Sequence, residues 1–354
     1  MQPAILVDHR RSSVIHSGHE QVVYNKGLFA INNPFAAVDE TATSTRKRKA
    51  RNNAGSKFAE WPDDELLEQR LRTFVANKPN EFASPNDEDI ENAVAKKTAS
   101  MIPSAYFFQG CDKQQFQSTT DATEKCQFQN RNFLIPPRSI GLLQTLNRNS
   151  TADILQAGRD LYGSYDRFDV VVLDPPWINK SVKRQRRYVT TDAEDLLSSL
   201  AIPELLAENG LLVAWYTHNA GHYAQLKAQI AKWNLQLLAT WTWIKITTSG
   251  LPICPFGRDF KKPYEHMLLA STQNSSHRDA LAQTDGSVFM SVPSAVHSHK
   301  PNLECLFERI GVHCGNLRCL ELYARSLKSN WISVGNEVIK LQCVEMFENV
   351  NVKQ

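Results

Sequence analysis

The sequence predicts an α/β fold organised around a parallel sheet with helices on both faces. From Phe133 onward, apolar runs alternate with helical patterns. Runs such as Phe168 to Leu173 and Gly210 to Tyr216 are continuously apolar, as in strands buried on both sides. The chain has 354 residues, 42% of them hydrophobic, which is enough to bury a sizeable core. With 22% charged residues and only 7 Cys, collagenous, disulfide-scaffold and wholly disordered classes are excluded.

Three segments follow in order. Residues 1–58 open with a short apolar run, Ala4-Ile5-Leu6-Val7, that meets charge at once and is too short for a signal peptide. No apolar stretch approaches bilayer length, so no membrane role is expected, and the chain reads as soluble and intracellular with reduced thiols. Between Phe35 and Ser56, a stretch rich in Thr, Ser, Ala and Asn carries Arg46-Lys47-Arg48-Lys49-Ala50-Arg51. Low hydrophobicity and like charge argue for a disordered basic linker there. It reads as a nuclear address or a phosphate-binding arm, with a merely solvated basic loop as the plainer alternative.

Residues 59–132 read as a small helical module and a polar loop. Asp63, Asp64 and Glu65 suit a helix N-terminus, and Leu66, Leu67, Leu71, Phe74 and Val75 recur at helical spacing. Asn86 to Ser100 is a second, weaker helix, and the Gln/Thr-rich stretch from Gln109 to Asn130 reads as loop. In residues 133–354, the main domain, strands are expected at Phe168 to Leu173, Gly210 to Tyr216, Leu235 to Ile246, Glu265 to Ser271 and Cys319 to Ala324. Helices are expected at Asp192 to Leu200, Asn219 to Trp233 and Pro301 to Ile310. Ligands of such sheets bind beyond the carboxyl ends of the strands.

At one such end, Phe168 to Leu173 runs directly into Asp174-Pro175-Pro176-Trp177. The prolines lack N–H groups and hold the turn extended, so the rim offers acceptors and few donors. A planar exocyclic amine could give one hydrogen to the Asp174 carboxylate and one to the Pro175 carbonyl, while Trp177 offers a flat face for a base. Accepting both hydrogens localises the nitrogen lone pair for attack, and Asp174 stabilises the positive charge that develops. The alternative is a structural Asp at a strand end.

The Asp174 to Trp177 motif resembles that of the eukaryotic N6-adenosine methyltransferase catalytic-subunit family, which shares it with prokaryotic adenine-N6 methylases. Asn179 to Arg184, Lys261-Lys262-Pro263-Tyr264-Glu265 and His297-Ser298-His299-Lys300-Pro301 look like the branch called methyltransferase-like protein four. The resemblance covers roughly residues 133–347. It implies a Rossmann-like, S-adenosylmethionine-dependent catalytic domain in which the catalytic motif precedes the cofactor strand, a permuted order. It also implies nucleic acid as partner, with N6-methylation of 2′-O-methyladenosine in small nuclear RNA as the leading substrate. DNA is the alternative, and a catalytically silent RNA-binding scaffold is the rival from another class. A monomer is the simplest expectation.

No G-x-G-x-x-G and no Walker loop is present, so dinucleotide and nucleoside-triphosphate readings lose their main support. A carboxylate within an apolar strand is costly to bury alone, so Glu321 should meet a cation or hydroxyls; a bridge to Arg318 or Arg325 is the structural alternative. By resemblance, Asp174, Glu321 and Leu322 face the methionine end of the cofactor and Arg325 the ribose. Asn336 and Glu337 face the adenosine, and Lys300, opening a helix at Pro301, pairs with the carboxylate. The family often has Gly where this chain has Ala324, which leaves close backbone approach there less assured. No contact is carried over for Ser326 to Asn330. Leu146 or Asp153 to Ile154 could wall the site ahead of Phe168.

The overall charge is only +3. Its distribution is more informative, because Lys180, Lys183, Arg184, Arg186 and Arg187 crowd just past the motif, where phosphates flanking an inserted base would lie. With Asn179, and with Lys261 and Lys262 as a second basic edge, they are the candidate substrate-binding set. A solvated loop is the alternative. The histidines show no Cys-paired spacing of a zinc site, so no metal is expected.

Overall fold

The computed structural model describes residues 4–12, 15–17, 20–34, 63–82, 92–163, 167–177, 193–257 and 262–350. The basic run Arg46 to Arg51 lies outside the described residues. So do Asn179, Lys180, Lys183, Arg184, Arg186, Arg187 and Lys261.

The described strands, in chain order, begin with β1 (Ile5–Leu6), β2 (Ile15–Ser17), β3 (Glu20–Tyr24), β4 (Gln114–Ser118) and β5 (Glu124–Phe128). Next come β6 (Arg131–Ile135), β7 (Ser139–Leu143), β8 (Phe168–Leu173), β9 (Leu206–Tyr216) and β10 (Gln236–Lys245). The last are β11 (Tyr264–Ser271), β12 (Val288–Ser291), β13 (Cys319–Leu322), β14 (Trp331–Gly335) and β15 (Phe347–Val350). Ten of them form one sheet in the order β1-β12-β10-β11-β9-β8-β13-β14-β7-β4. The pairs from β9 through β8, β13 and β14 to β7 are parallel, whereas β11 is antiparallel to both its neighbours and β4 to β7. The expected all-parallel sheet is therefore mixed, with a parallel centre. Strand β8, which leads into the Asp174 to Trp177 motif, precedes and directly adjoins β13, in keeping with the permuted Rossmann-like order.

The continuous apolar runs arise because β8 and β9 are buried on both faces. Val171, Leu173, Leu212 and Ala214 enter one core, while Val170, Val172, Val213 and Trp215 enter the other. Helices Ser150–Tyr162 and Ala220–Lys232 cover the first core with Ile154, Ala157, Leu226 and Ile230. The second lies under Leu281 and under Leu306 and Phe307 of the short helix Glu304–Phe307. That helix is shorter than the Pro301 to Ile310 pattern suggests and leaves Lys300 in an irregular segment ahead of it.

The N-terminal parts are built into the same sheet. Helix Asp64–Asn77 forms as expected, capped by Asp63, and packs Leu67, Leu71 and Phe74 on Ile244, Tyr264 and Met290; Leu66 is exposed. The stretch Gln109 to Asn130 is not loop. Within it, β5 pairs with β6 and β4 forms an edge of the main sheet, across the boundary at residue 132. Strand β1, from the short apolar run, forms the opposite edge. Among the described residues, no helix is long and apolar enough to cross a membrane.

Tyr162 ties the covering helix to the sheet beside the site. Its hydroxyl donates to the Asn330 carbonyl at 2.6 Å and accepts from the Cys319 N–H at 3.0 Å. Tyr162→Phe leaves both partners short of a hydrogen bond and is expected to cost about 1–3 kcal/mol of stability. Equilibrium urea denaturation checks this; an unshifted midpoint would refute it.

Candidate functional site

The carboxyl ends of β8 and β13 meet at the topological switch of the sheet, where the Asp174 N–H donates to the Leu322 carbonyl at 3.3 Å. The cleft beyond them is lined by Asp174, Trp215, Lys300, Glu321, Arg325 and Lys328, among others. Two lining residues, Ser298 (φ 64°) and Tyr323 (φ 61°), sit in the left-handed region although neither is glycine. Such backbone is held only where its surroundings impose it, and it gathers at binding sites.

Asp174 is 7% exposed and doubly paired. Lys300 Nζ donates to Oδ1 at 3.1 Å and Oδ2 at 3.2 Å, and Arg325 Nη1 donates to Oδ2 at 2.9 Å. The pairing continues outward on both sides. Lys300 also meets Glu265 at 3.1 Å, and Glu265 meets Lys245. Arg325 also meets Glu337 at 3.4 Å, and Glu337 meets Lys340 at 3.0 Å. Burial opposes every charge in this chain, yet the Glu265 carboxyl is held well below the usual carboxylate range because Lys245 and Lys300 outweigh desolvation. Lys300 and Arg325 are likewise raised, desolvation being offset chiefly by Asp174.

Glu321 does meet a cation, but it is neither Arg318 nor Arg325. Its partner is Lys328, within the stretch from which the sequence supplied no contact. Arg318 is held instead by Asp169. Leu322 turns its side chain into the core, leaving its carbonyl to hold Asp174. Leu146 and Ile154 are core residues and Asp153 is exposed; none of the three is among the residues that line the cleft around Asp174. The first residue past β7 is Gln144, whose backbone N–H donates to the Gly335 carbonyl at 3.2 Å. Gly335 lets its strand approach the turn after β13 closely: a Cβ there would lie 2.5 Å from the Ala324 carbonyl oxygen. Asn336 is exposed beside it.

Trp177 is a wall rather than an open platform. It is 8% exposed, donates its indole N–H to the Trp215 carbonyl at 2.9 Å, and has His222 stacked on one face at 4.7 Å. The Pro175 carbonyl accepts the Trp177 N–H at 2.8 Å. Lys262 is engaged by Asp64, which also accepts from the Tyr264 hydroxyl, so it is not a free basic edge.

These donors suit a zwitterionic ligand such as S-adenosylmethionine. Lys300, Arg325 and Lys328 can meet its carboxylate, and Glu321 and Glu337 its hydroxyls and ammonium. Gln144 Nε2, buried without a partner among the described residues, is a free donor beside Gly335. Lys328, Gln144 and Lys245 were missed from sequence, since a lone Lys or Gln carries no local signal, and Glu265 was read only as part of the Lys261 to Glu265 element.

A family model described as MT-A70 matches residues 168–337. The chain is 34% identical over 239 residues to the human protein named N(6)-adenine-specific methyltransferase METTL4, covering 65% of this chain and 48% of that one. It is 43% identical over 183 residues to N6-methyladenosine RNA methyltransferase MTA1 of Cryphonectria parasitica, covering 49% and 53%. It is 31% identical over 348 residues to a Caenorhabditis elegans protein named DNA N6-methyl methyltransferase, covering 90% and 89%. The chain spans about half the length of the first two and most of the third.

His266 and His299 are buried and His218 is half-buried. Burial lowers His218 to about 4, helped by Lys262, and His266 to about 3, helped by His218. It lowers His299 to about 3, helped by Lys328 and Lys300. Unfolded imidazoles near pH 6.5 bind protons that the folded ones refuse. Stability is therefore full above about pH 6.5 and falls as pH drops toward these values, by up to about 1.4 kcal/mol per pH unit per group. The denaturation midpoint should fall between pH 7 and 5, and less steeply in His266→Gln; equal slopes for the two proteins would contradict this.

Proposed function

Since this chain belongs to the MT-A70 family, we propose that it is an S-adenosylmethionine-dependent methyltransferase acting on the N6 nitrogen of adenine in nucleic acid. The observation that carries this reading is the placement of Asp174, buried at the end of β8 and set among the cations that line the cleft. S-adenosylmethionine, when bound, supplies an electrophilic methyl group, and Lys300, Arg325, Lys328, Glu321 and Glu337 are the residues to hold it.

The acceptors on the rim can take both hydrogens of the target amine. A carboxylate has about four acceptor sites. Lys300 and Arg325 use three on Asp174, two from Lys300 and one from Arg325, which leaves one for an N6 hydrogen. The Pro175 carbonyl spends one lone pair on Trp177 and keeps the other. Asp174 then stabilises the charge that develops on nitrogen in a site already shielded from water. A base within a duplex must first be flipped out.

For substrate, 2′-O-methyladenosine of small nuclear RNA is our first choice, from the resemblance carried by the His297 to Pro301 and Lys261 to Glu265 elements. The MTA1 name of one relative also speaks for RNA. DNA is the second reading, favoured by the name of the relative covered over 89% of its length. A silent scaffold is disfavoured by the intact Asp174 to Trp177 motif. The basic segment Lys180 to Arg187 suits flanking phosphates, and the run Arg46 to Arg51 supports a nuclear location.

Asp174→Asn keeps the shape of the side chain and removes its charge. It is expected to lower kcat by about 10²-fold or more while changing cofactor affinity far less. Turnover by the purified variant at the wild-type rate would remove Asp174 from its role. Mass spectrometry of digested RNA and DNA, from cells with and without the protein, is expected to show N6-methyl loss from a 2′-O-methylated nucleoside. Loss from deoxyadenosine alone would establish the DNA reading instead.

A further inference from the structure

Residues 4–12 precede the catalytic motif by more than a hundred and sixty positions, yet they brace the segment that carries Lys300. The Val7 N–H donates to the Met290 carbonyl at 2.8 Å, and Ser12 Oγ accepts from the Asn302 N–H at 3.1 Å. Arg10 Nε donates to the Tyr24 carbonyl at 2.9 Å, and its guanidinium also meets Glu348. Between these ties lies His9, 2% exposed. Its ring packs edge-on against His299, the residue before Lys300, with centroids 4.6 Å apart. Tyr24 closes on His299 at 4.7 Å, and Phe29 and Trp243 hold His9 at 5.1 and 5.9 Å.

Two features mark this contact as more than filling. Neither ring nitrogen of His9 has a hydrogen-bond partner among the described residues, nor has Nδ1 of His299. An unpaired buried polar group costs about 1–3 kcal/mol, which a phenyl ring in the same place would not incur. Ser298, immediately ahead, is in the left-handed region at φ 64° and needs support from outside its own segment.

We propose that His9 is a positioning residue for Lys300, and that residues 4–12 thereby belong to the apparatus that binds the cofactor carboxylate. The proposal rests on the functional reading above. His9 acts at one remove: it fixes His299, and the peptide following His299 sets where Lys300 reaches Asp174 and Glu265.

The test compares wild type, His9→Ala, Lys300→Ala and the double variant in the full chain, with S-adenosylhomocysteine as probe in calorimetry. His9→Ala is expected to remain cooperatively folded and to raise Kd about tenfold, a loss of about 1.4 kcal/mol. It should raise KM for S-adenosylmethionine and leave KM for the nucleic acid unchanged. Added to Lys300→Ala, it should cost nothing further, because residues acting through one group are not additive. Hydrogen exchange of the cofactor-free protein should quicken at residues 296–303.

An unchanged Kd in the folded variant overturns the proposal, and so does full additivity with Lys300→Ala. Should the alanine variant not fold, His9→Leu, similar in bulk but lacking ring edge and N–H, carries the same comparison. If the wild type binds no S-adenosylhomocysteine, the functional reading falls. The exchange measurement then decides by itself whether His9 holds the Lys300 segment, and unchanged exchange overturns that too.

Discussion

A carboxylate placed in the interior at the end of the central strand is the constraint on which the rest of the site depends. Asp174 is buried, and a lone ionised group there would cost several kcal/mol after relaxation. Lys300 and Arg325 offset that cost, but each is itself half-buried and meets a further anion, Glu265 on one side and Glu337 on the other. Lys245 and Lys340 then finish the chain of alternating charges near the surface. Four cations and three carboxylates leave the array one positive charge in excess, which suits an anionic group on a ligand.

The sheet supplies the geometry that makes this array possible. Parallel pairing of β8 with β13, and of β13 with β14, brings three carboxyl ends to one rim, where Asp174 and Tyr323 follow their strands and Gly335 ends its own. Antiparallel β11 enters the sheet from the same rim, so Glu265, near its start, lies within reach of Lys300. A wholly parallel sheet would have put the start of that strand at the opposite end. The departure from the expected topology thus has a direct electrostatic use.

What could be read from sequence was what is written locally. Strands β8 and β9 announce themselves because both faces are buried, and Asp174 to Trp177 because proline stiffness and a carboxylate adjoin in four residues. Helix Asp64–Asn77 was legible from its cap and spacing. Strand β4 was not: in Gln-Gln-Phe-Gln-Ser, only Phe116 and Ser118 turn inward, and a polar edge strand resembles a loop. The partner of Glu321 was misjudged because nothing local separates Arg318, Arg325 and Lys328; strand register and the bend at Tyr323 decide among them. Lys262 read as a free cation because its partner, Asp64, stands 198 residues earlier.

The pairs on Asp174 also govern when the site can exist. Arg325 is 151 residues and Lys300 126 residues downstream of Asp174, and β13 pairs with β8 over the same interval. Loops of that length close late, and contacts of such separation slow folding. During synthesis β8 and β9 emerge long before β13, leaving a central strand of the finished sheet as a temporary edge, which other chains could pair with. A fragment ending ahead of Lys300 holds the motif without either cation that permits its burial, and one ending ahead of Arg325 lacks the second. The paired form of Asp174 thus waits on segments far downstream of it, and the growing polypeptide carries an unpaired motif until β13 and the turn after it arrive.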